Sequence, residues 1–260
     1  MLQQLRLFLT VLQFFTRLPV PAWVGHSAAQ LDQASRYFPA VGFVVGGLAA
    51  AVWWVAAQIL PPHIALLLSM AASILITGAF HEDGLSDFID GFGGGYTQEK
   101  ILAIMKDSHV GAYGVIAIVL ALLLKFSALQ HIASHSFSLA LSTLIASHVI
   151  SRLLAASLIY TQRYVRLDDS ARAKPVAQVM SHTSFAVALL FGVSAIGLLV
   201  CAGISTWALA SALAAAILMR AYLAGRFQKT LGGYTGDCLG AVQQLSEIAF
   251  YLGLLAALPK

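Results

Sequence analysis

The chain has 260 residues, of which 59% are hydrophobic and only 10% charged, and its mean hydropathy is +0.83. Soluble domains carry roughly 45–50% apolar and about 25% charged residues, so a soluble enzyme, a disordered chain and a fibrous protein are all excluded. The formal net charge of +4 reads as loop Lys and Arg that set topology and touch anionic lipid, not as a nucleic-acid footprint.

The apolar residues come in unbroken runs long enough to cross a bilayer. The expected fold is therefore all-α: one polytopic membrane domain over 1–260, with about seven transmembrane helices and an N-terminal amphipathic helix. Residues 2–18 mix Leu, Phe and Val with Gln3, Gln4, Arg6, Gln13 and Arg17, the pattern of a helix lying on the membrane. Pro19 and Pro21 stop it, and a polar stretch follows over 25–36. The spans fall near 38–60, 63–80, 110–131, 136–160, 184–204, 206–225 and 238–258. Gly42, Gly46 and Gly47 predict close helix approach. Cys201 and Cys238 are too few for a disulfide framework and suggest no bridge, metal or redox role. The N-terminus lacks the order of a signal peptide.

Basic residues alternate between connections. Arg17 and Arg36 precede the first span. Lys100 and Lys106 lie in the second connection, Arg163, Arg166, Arg172 and Lys174 in the fourth, and Arg226 and Lys229 in the sixth. The first, third and fifth connections have none. The positive-inside rule then places the N-terminus and the three long loops in the cytoplasm. All acids except Glu247 lie in those segments: Asp32, Glu82, Asp83, Asp87, Asp90, Glu99, Asp107, Asp168, Asp169 and Asp237.

The sharpest local signal is the run from His81 to Gly91, in which Asp83, Asp87 and Asp90 stand at i, i+4 and i+7. On a helix these positions share one face. Three stacked carboxylates repel one another unless a divalent cation sits between them, and oxygen-only ligands suit Mg²⁺, Mn²⁺ or Ca²⁺. The bland alternative is a solvated acidic helix start. Gly91, Gly93, Gly94 and Gly95 follow, a glycine-rich turn that could offer backbone N–H groups to an anion. Lys106 adds a cation for phosphate and Asp107 a further acid. A second polar cluster runs from Gly232 to Gly240 and contains Asp237. Arg152 and Arg220 lie inside spans, where an Arg normally faces a partner or cavity unless it snorkels. Lys125 is expected to snorkel outward. His148 reads as a hydrogen-bonded core histidine or a base, and His63, His131 and His135 as boundary residues. The four Trp read as interface anchors or packing.

Five blocks carry a resemblance: FFTRLPVP at 14–21, RYFPAVG at 36–42, FHEDGLSDFIDGFGGG at 80–95, ILAIMKDSHVGAYG at 101–114 and LGGYTGDCLGA at 231–241. Together, and in this order, they resemble the cobalamin (cobamide) 5′-phosphate synthase family, also called adenosylcobinamide-GDP ribazoletransferases. The resemblance covers essentially the whole chain. It implies an integral transferase of the bacterial inner membrane, with its active site facing the cytoplasm. Such an enzyme joins adenosylcobinamide-GDP to α-ribazole or its 5′-phosphate, needs Mg²⁺, and releases GMP. Asp83, Asp87 and Asp90 are then the expected metal ligands. Lys106 and Arg152 are expected on phosphate oxygens, with Gly93 and Gly94 beside them, and Asp107 or Asp237 as a base. Glu82 departs from the family, whose members carry an apolar residue there, and Glu82→Leu is expected to be tolerated. The expected partners are these small molecules and the lipid bilayer, and a homo-oligomer is compatible with them.

Two other readings compete. Asp87-x-x-Asp90-Gly91 echoes half of the CDP-alcohol phosphotransferase motif, but the second Asp-x-x-x-Asp after a spaced Ala-Arg is missing. A transporter would place ionisable groups near the midplane in repeated halves. Here the acids gather at one face, and the only internal echo is Gly-Gly-Tyr-Thr at 94–97 and 232–235.

Overall fold

The structure is a computed structural model and describes residues 2–25, 27–165 and 177–258. Arg166, Asp168, Asp169, Arg172 and Lys174 therefore lie outside the described residues. The described residues form eleven α-helices in chain order: α1 (Leu2–Phe15), α2 (Ala28–Ala34), α3 (Phe38–Ala56), α4 (Pro62–Thr77), α5 (Phe80–Gly94), α6 (Gln98–Lys106), α7 (Ala112–His135), α8 (Phe137–Thr161), α9 (His182–Cys201), α10 (Thr206–Leu231) and α11 (Gly236–Ala257). Among the described residues, six stretches are long and apolar enough to cross a membrane: Ala28–Ala56 and each of α7 to α11. The chain is thus an all-α, multi-pass membrane protein.

The N-terminal helix is amphipathic as the sequence predicts. It buries Leu7, Val11 and Phe15, one stripe at four-residue spacing, and Phe15 packs edge-on against Phe38 at the start of α3 with centroids 4.6 Å apart. Within the polar stretch at 25–36, Ala28–Ala34 forms the short helix α2. Ser27 caps α2 by accepting from the Gln30 backbone N–H at 3.2 Å, and Leu31 and Ala34 turn inward.

The second expected span, 63–80, is a broken one. α4 has 16 residues and so is about 24 Å long, short of the roughly 30 Å hydrocarbon core. Gly78 (φ 66°) and Ala79 (φ 59°) then both adopt left-handed backbone, and α5 leaves at 85° to α4. For Ala79 this conformation is strained. The Arg17 backbone N–H donates to the Ile76 carbonyl at 2.7 Å and satisfies the end of α4. The bend lays the acidic α5 across the end of the bundle, where it packs on α6, α7 and α11.

The central helices are α8 and α11, buried over 72% and 78% of their apolar windows, against 28% for each of α7, α9 and α10. Close approach follows the small residues. A Cβ on Gly42 would lie 2.5 Å from the His148 carbonyl oxygen and 2.7 Å from Val149 Cα on α8, and one on Gly46 would lie 2.9 Å from Ile145 Cα. Gly47 has no neighbour within 4 Å of that position. Gly42 and Gly46 face α8 because they stand four residues apart; Gly47 is rotated off that face.

The bundle interior holds a buried ionic network. Lys125 is 7% exposed and pairs with Glu247 at 3.1 Å, so it does not snorkel outward as the sequence suggested; the paired acid makes the interior position tolerable. Glu247 also accepts from Gln243 Nε2 at 2.7 Å and from the Tyr251 hydroxyl at 3.0 Å. Arg152 Nη1 donates to His148 Nδ1 at 2.9 Å and to the His148 carbonyl at 3.0 Å. Arginine offers only donors, so His148 Nδ1 is an acceptor, its hydrogen sits on Nε2, and its 3.8 Å approach to Glu247 is not an ion pair. Glu82 reaches into the same region from α5. Its Oε1 accepts from Gln244 at 2.9 Å, its Oε2 is buried without a hydrogen-bond partner, and it lines a small cavity with Lys125, His148 and Glu247. Two acids, Glu82 and Glu247, thus offset two cations, Lys125 and Arg152. Arg220, inside α10, donates to the Ser157 carbonyl of α8 at 3.0 Å.

Two stability predictions follow from this packing. Gly42→Ala destabilises by about 1–3 kcal/mol, whereas Gly47→Ala changes stability by no more than about 0.5 kcal/mol; equal thermal unfolding of the two variants in detergent would refute the α3–α8 contact. Glu82→Leu, expected from sequence to be tolerated, leaves the buried cations under-compensated and lowers stability by about 1–3 kcal/mol. An unchanged melting temperature for it would remove Glu82 from the charge balance.

Candidate active site

The site is assembled at the end of the bundle where α5 lies. Glu82 and Asp83 occupy the first turn of α5, where the helix dipole favours negative charge. Asp83 is exposed, Asp87 half-buried and Asp90 buried. Gly84 sits on α11. A Cβ there would lie 3.2 Å from Asp237 Cα and 3.3 Å from Gly240 Cα, and one on Gly240 would lie 3.1 Å from Gly84 Cα and from the His81 carbonyl. Two bare backbones in contact bring the acid face of α5 to the first turn of α11, which carries Asp237. The charges acting on Asp87 are Asp237 first, then Asp83 and Asp90. Among the described residues, no ion pair reaches Asp83, Asp87 or Asp237.

Asp90 is bound differently from its two neighbours. Its Oδ2 accepts from the Gly111 backbone N–H at 2.8 Å and its Oδ1 from that of Gly114 at 2.9 Å. It therefore caps the start of α7 across 21 residues of chain, satisfying N–H groups that no intrahelical partner can reach. A Cβ on Gly111 or Gly114 would overlap the Asp90 carboxylate, which explains the Gly-Ala-Tyr-Gly spacing in the fourth block. Ser86, one turn earlier, is buried beside Gly114.

The glycine run is not the open turn that the sequence suggested. Gly91, Gly93 and Gly94 belong to the last turn of α5, and Gly95 closes it by donating to the Gly91 carbonyl at 2.9 Å. Helical N–H groups point back to the carbonyl four residues earlier, so Gly93 and Gly94 do not form an anion cradle. Their smallness serves packing. A Cβ on Gly93 would lie 2.9 Å from the Tyr113 ring, one on Gly91 2.5 Å from Met105 Cγ, and one on Gly94 3.4 Å from Ile104 Cδ1.

Lys106 ends α6 as an exposed residue, and Asp107 is its C-cap. Asp107 Oδ1 accepts from the His109 backbone N–H at 3.1 Å and faces His109 Nδ1 at 2.6 Å. The hydrogen bonds from His109 hold the Asp107 carboxyl below the usual carboxylate range, and Asp107 in turn raises the His109 imidazole. The second polar cluster is anchored by Tyr234, which is fully buried. Its backbone N–H donates to the Arg163 carbonyl at 2.9 Å, its carbonyl accepts from Val165 at 2.9 Å, and its hydroxyl donates to the Ala177 carbonyl at 3.0 Å. Thr235 then caps α11 by accepting from Cys238 N–H at 3.3 Å.

The structure thus joins Asp83 and Asp87 to Asp237, engages Asp90 at α7, and turns Asp107 toward His109. Arg152 lies beneath the acids, only 2% exposed, beside a cavity that Gly236 and Gly240 also line. Sequence reasoning passed over Gln243 and gave no role to Glu247; an acid and two amides at four- and three-residue spacing in the last span were the available signal. Among the described residues, no three His, Cys, Asp or Glu side chains form a ready-made metal-binding group as they stand.

Comparisons with known proteins agree with this arrangement. The sequence profile of the cobalamin-5-phosphate synthase family matches residues 7–255. An adenosylcobinamide-GDP ribazoletransferase of Shewanella frigidimarina (strain NCIMB 400) is 48% identical over 255 residues, covering 98% of this chain and 96% of the relative. One from Shewanella woodyi (strain ATCC 51908 / MS32) is 44% identical over 253 residues, covering 97% and 96%. No solved structure matches the chain. With the match running through α1 to α11 and through every residue of the acid site, the chain belongs to the cobalamin-5-phosphate synthase family.

Proposed function

We propose that this chain transfers the adenosylcobinamide-phosphate group of adenosylcobinamide-GDP to a ribose hydroxyl of α-ribazole or its 5′-phosphate and releases GMP. The observation that carries the reading is the convergence of Asp83, Asp87 and Asp237 from two helices with no cation paired to them among the described residues. A cytoplasmic position for this end of the bundle is supported by the basic residues Arg17, Lys100, Lys106, Arg163, Arg226 and Lys229 in its connections and helix ends, and on this reading the membrane is a bacterial inner membrane.

In the transfer, a bond forms between the ribose oxygen and the phosphorus that bears the cobinamide arm. The anhydride bond to GMP breaks. Such a displacement needs positioning and charge neutralisation more than covalent chemistry. The donor set is oxygen-only and has no paired cation among the described residues, which fits Mg²⁺. That ion usually takes one or two carboxylates and completes its shell with water and substrate phosphate, so a full protein cage is not required. Bound Mg²⁺ would supply neutralisation of the diphosphate and of the departing GMP. Asp83 and Asp87 are the residues that would hold it. Asp90, with both oxygens on backbone N–H groups, positions α5 against α7. Lys106 adds positive charge around the phosphates, whereas Arg152, 2% exposed and offset by Glu247 and Glu82, braces the helices beneath the acids. Asp237 faces Asp87 and accepts the proton of the ribose hydroxyl. Asp107 is the weaker candidate for that step, because a carboxyl held below its usual range is a poorer base.

Two substitutions separate these roles. Asp87→Asn lowers GMP release from adenosylcobinamide-GDP and α-ribazole by at least about 100-fold in nanodiscs and raises the Mg²⁺ needed for half-maximal rate. Asp90→Asn instead lowers stability by about 1.5–3 kcal/mol and leaves the Mg²⁺ dependence unchanged. Full activity in Asp87→Asn would end the metal-site reading.

The Asp107–His109 pair has a defined pH window. The raised His109 contributes fully below about pH 6.5 and loses its charge as pH climbs through its elevated midpoint. The lowered Asp107 contributes above about pH 4 and is lost as pH drops through its depressed one. Asp107→Asn returns the His109 midpoint down to the ordinary value near about 6.5, as read by NMR titration; an unmoved midpoint means that the pair does not form in solution.

A further inference from the structure

α7 starts at the acid site, where Asp90 caps it, and ends at His135. Its 24 residues rise about 36 Å, more than the hydrocarbon core, so its last turn lies at the far end of the bundle from the acids. His131 and His135 stand four residues apart in that turn and share one face. Both are exposed. Their Nε2 atoms face each other at 3.3 Å, with the ring centroids 5.0 Å apart and the planes at 69°. That separation is longer than the roughly 2.7–3.2 Å usual for a hydrogen bond from N–H. Among the described residues, no other side-chain hydrogen bond or ion pair engages either ring. The chain carries no Asp, Glu, Lys or Arg between Lys125 and Arg152, so no charge adjacent in sequence competes for the pair. Ser136 alone joins α7 to α8, closing the first and capping the second by accepting from the Leu139 N–H at 3.2 Å.

We propose that His131 and His135 form a second metal site, which takes Zn²⁺ through the two Nε2 atoms. A neutral imidazole with its hydrogen on Nδ1 leaves the Nε2 lone pair for a metal. An ion at the ordinary Zn–N distance of about 2.0–2.1 Å from both nitrogens spans their 3.3 Å gap at about 104–111°, the tetrahedral angle. The i, i+4 spacing is the one that places two zinc-binding histidines on one helix face. Among the described residues, no third His, Cys, Asp or Glu joins the pair, so the other two positions go to water. Imidazole suits Zn²⁺, whereas Mg²⁺ prefers oxygen, so the two ends of the protein select different ions. A metal here ties the last turn of α7, whose carbonyls lack intrahelical partners, at the one-residue corner into the buried α8.

Equilibrium dialysis of Zn²⁺ against the full chain, tag-free and in nanodiscs of zwitterionic lipid, tests the site, with saturating Mg²⁺ present to occupy the acids and empty nanodiscs subtracted. The wild type is expected to bind one Zn²⁺ per chain and to melt at a higher temperature with zinc than without it. His131→Ala and His135→Ala each remove one ligand from an exposed position. Each is expected to keep the metal-free melting temperature, to weaken zinc binding at least about tenfold and to abolish the thermal shift. His182→Ala, an exposed histidine on α9, is expected to change neither. Three results would overturn the inference: a wild-type Kd weaker than about 1 mM, equal zinc binding in the wild type and in both variants of the pair, or an equal loss in His182→Ala. The readout is metal binding alone, so it stands or falls separately from the reaction proposed above.

Discussion

The arrangement of the active end depends on one contact, the crossing of α5 over α11 at Gly84 and Gly240. With no Cβ on either side, the two backbones touch, and the acid face of α5 arrives beside Asp237. A side chain at either glycine would have to displace backbone, not a flexible tip. The same contact forces like charges together, which costs energy in the absence of a cation. The helix is held in that position from its other end by Asp90, whose two bonds to the start of α7 supply what the acids oppose.

The acids of the chain thereby divide into two populations. The outer set, Asp83, Asp87 and Asp237, lies at the end of the bundle where α5 crosses α11 and has no paired cation among the described residues. The inner set, Glu82 and Glu247, balances Lys125 and Arg152 within the bundle. A charge between packed membrane helices must be matched locally. A charge at the aqueous end can remain open for a ligand. Glu247 is the centre of the inner set: it accepts from Gln243 directly and is the leading acid acting on Arg152, so both side chains are held from within the bundle.

The all-α membrane class was legible in composition, because hydrocarbon solvent demands long apolar helices whatever their packing. The amphipathic α1 and the spacing of Asp83, Asp87 and Asp90 were legible for the same reason, since helical period alone decides which residues share a face. The five sequence blocks also pointed to the family. The break at Gly78–Ala79 was not legible: alanine carries no signal for left-handed backbone, and what holds the break is tertiary, the Arg17 bond to the end of α4 and the packing of α5 on α6, α7 and α11.

What the sequence by itself determined was therefore the solvent of the fold, its spans and its acid-bearing helix, all of which follow from local periodicity and hydropathy. Tertiary structure alone decided the partner of each charge. Asp90 meets Gly111 and Gly114, Lys125 meets Glu247, and Asp237 meets the α5 acids, each through contacts between elements that are distant in the chain or set in place by the crossing of helices. The glycine run at 91–95 shows the difference most directly: its composition matches an anion-binding turn, but α6 and α7 press on it as the end of a helix, and a helical N–H is already committed.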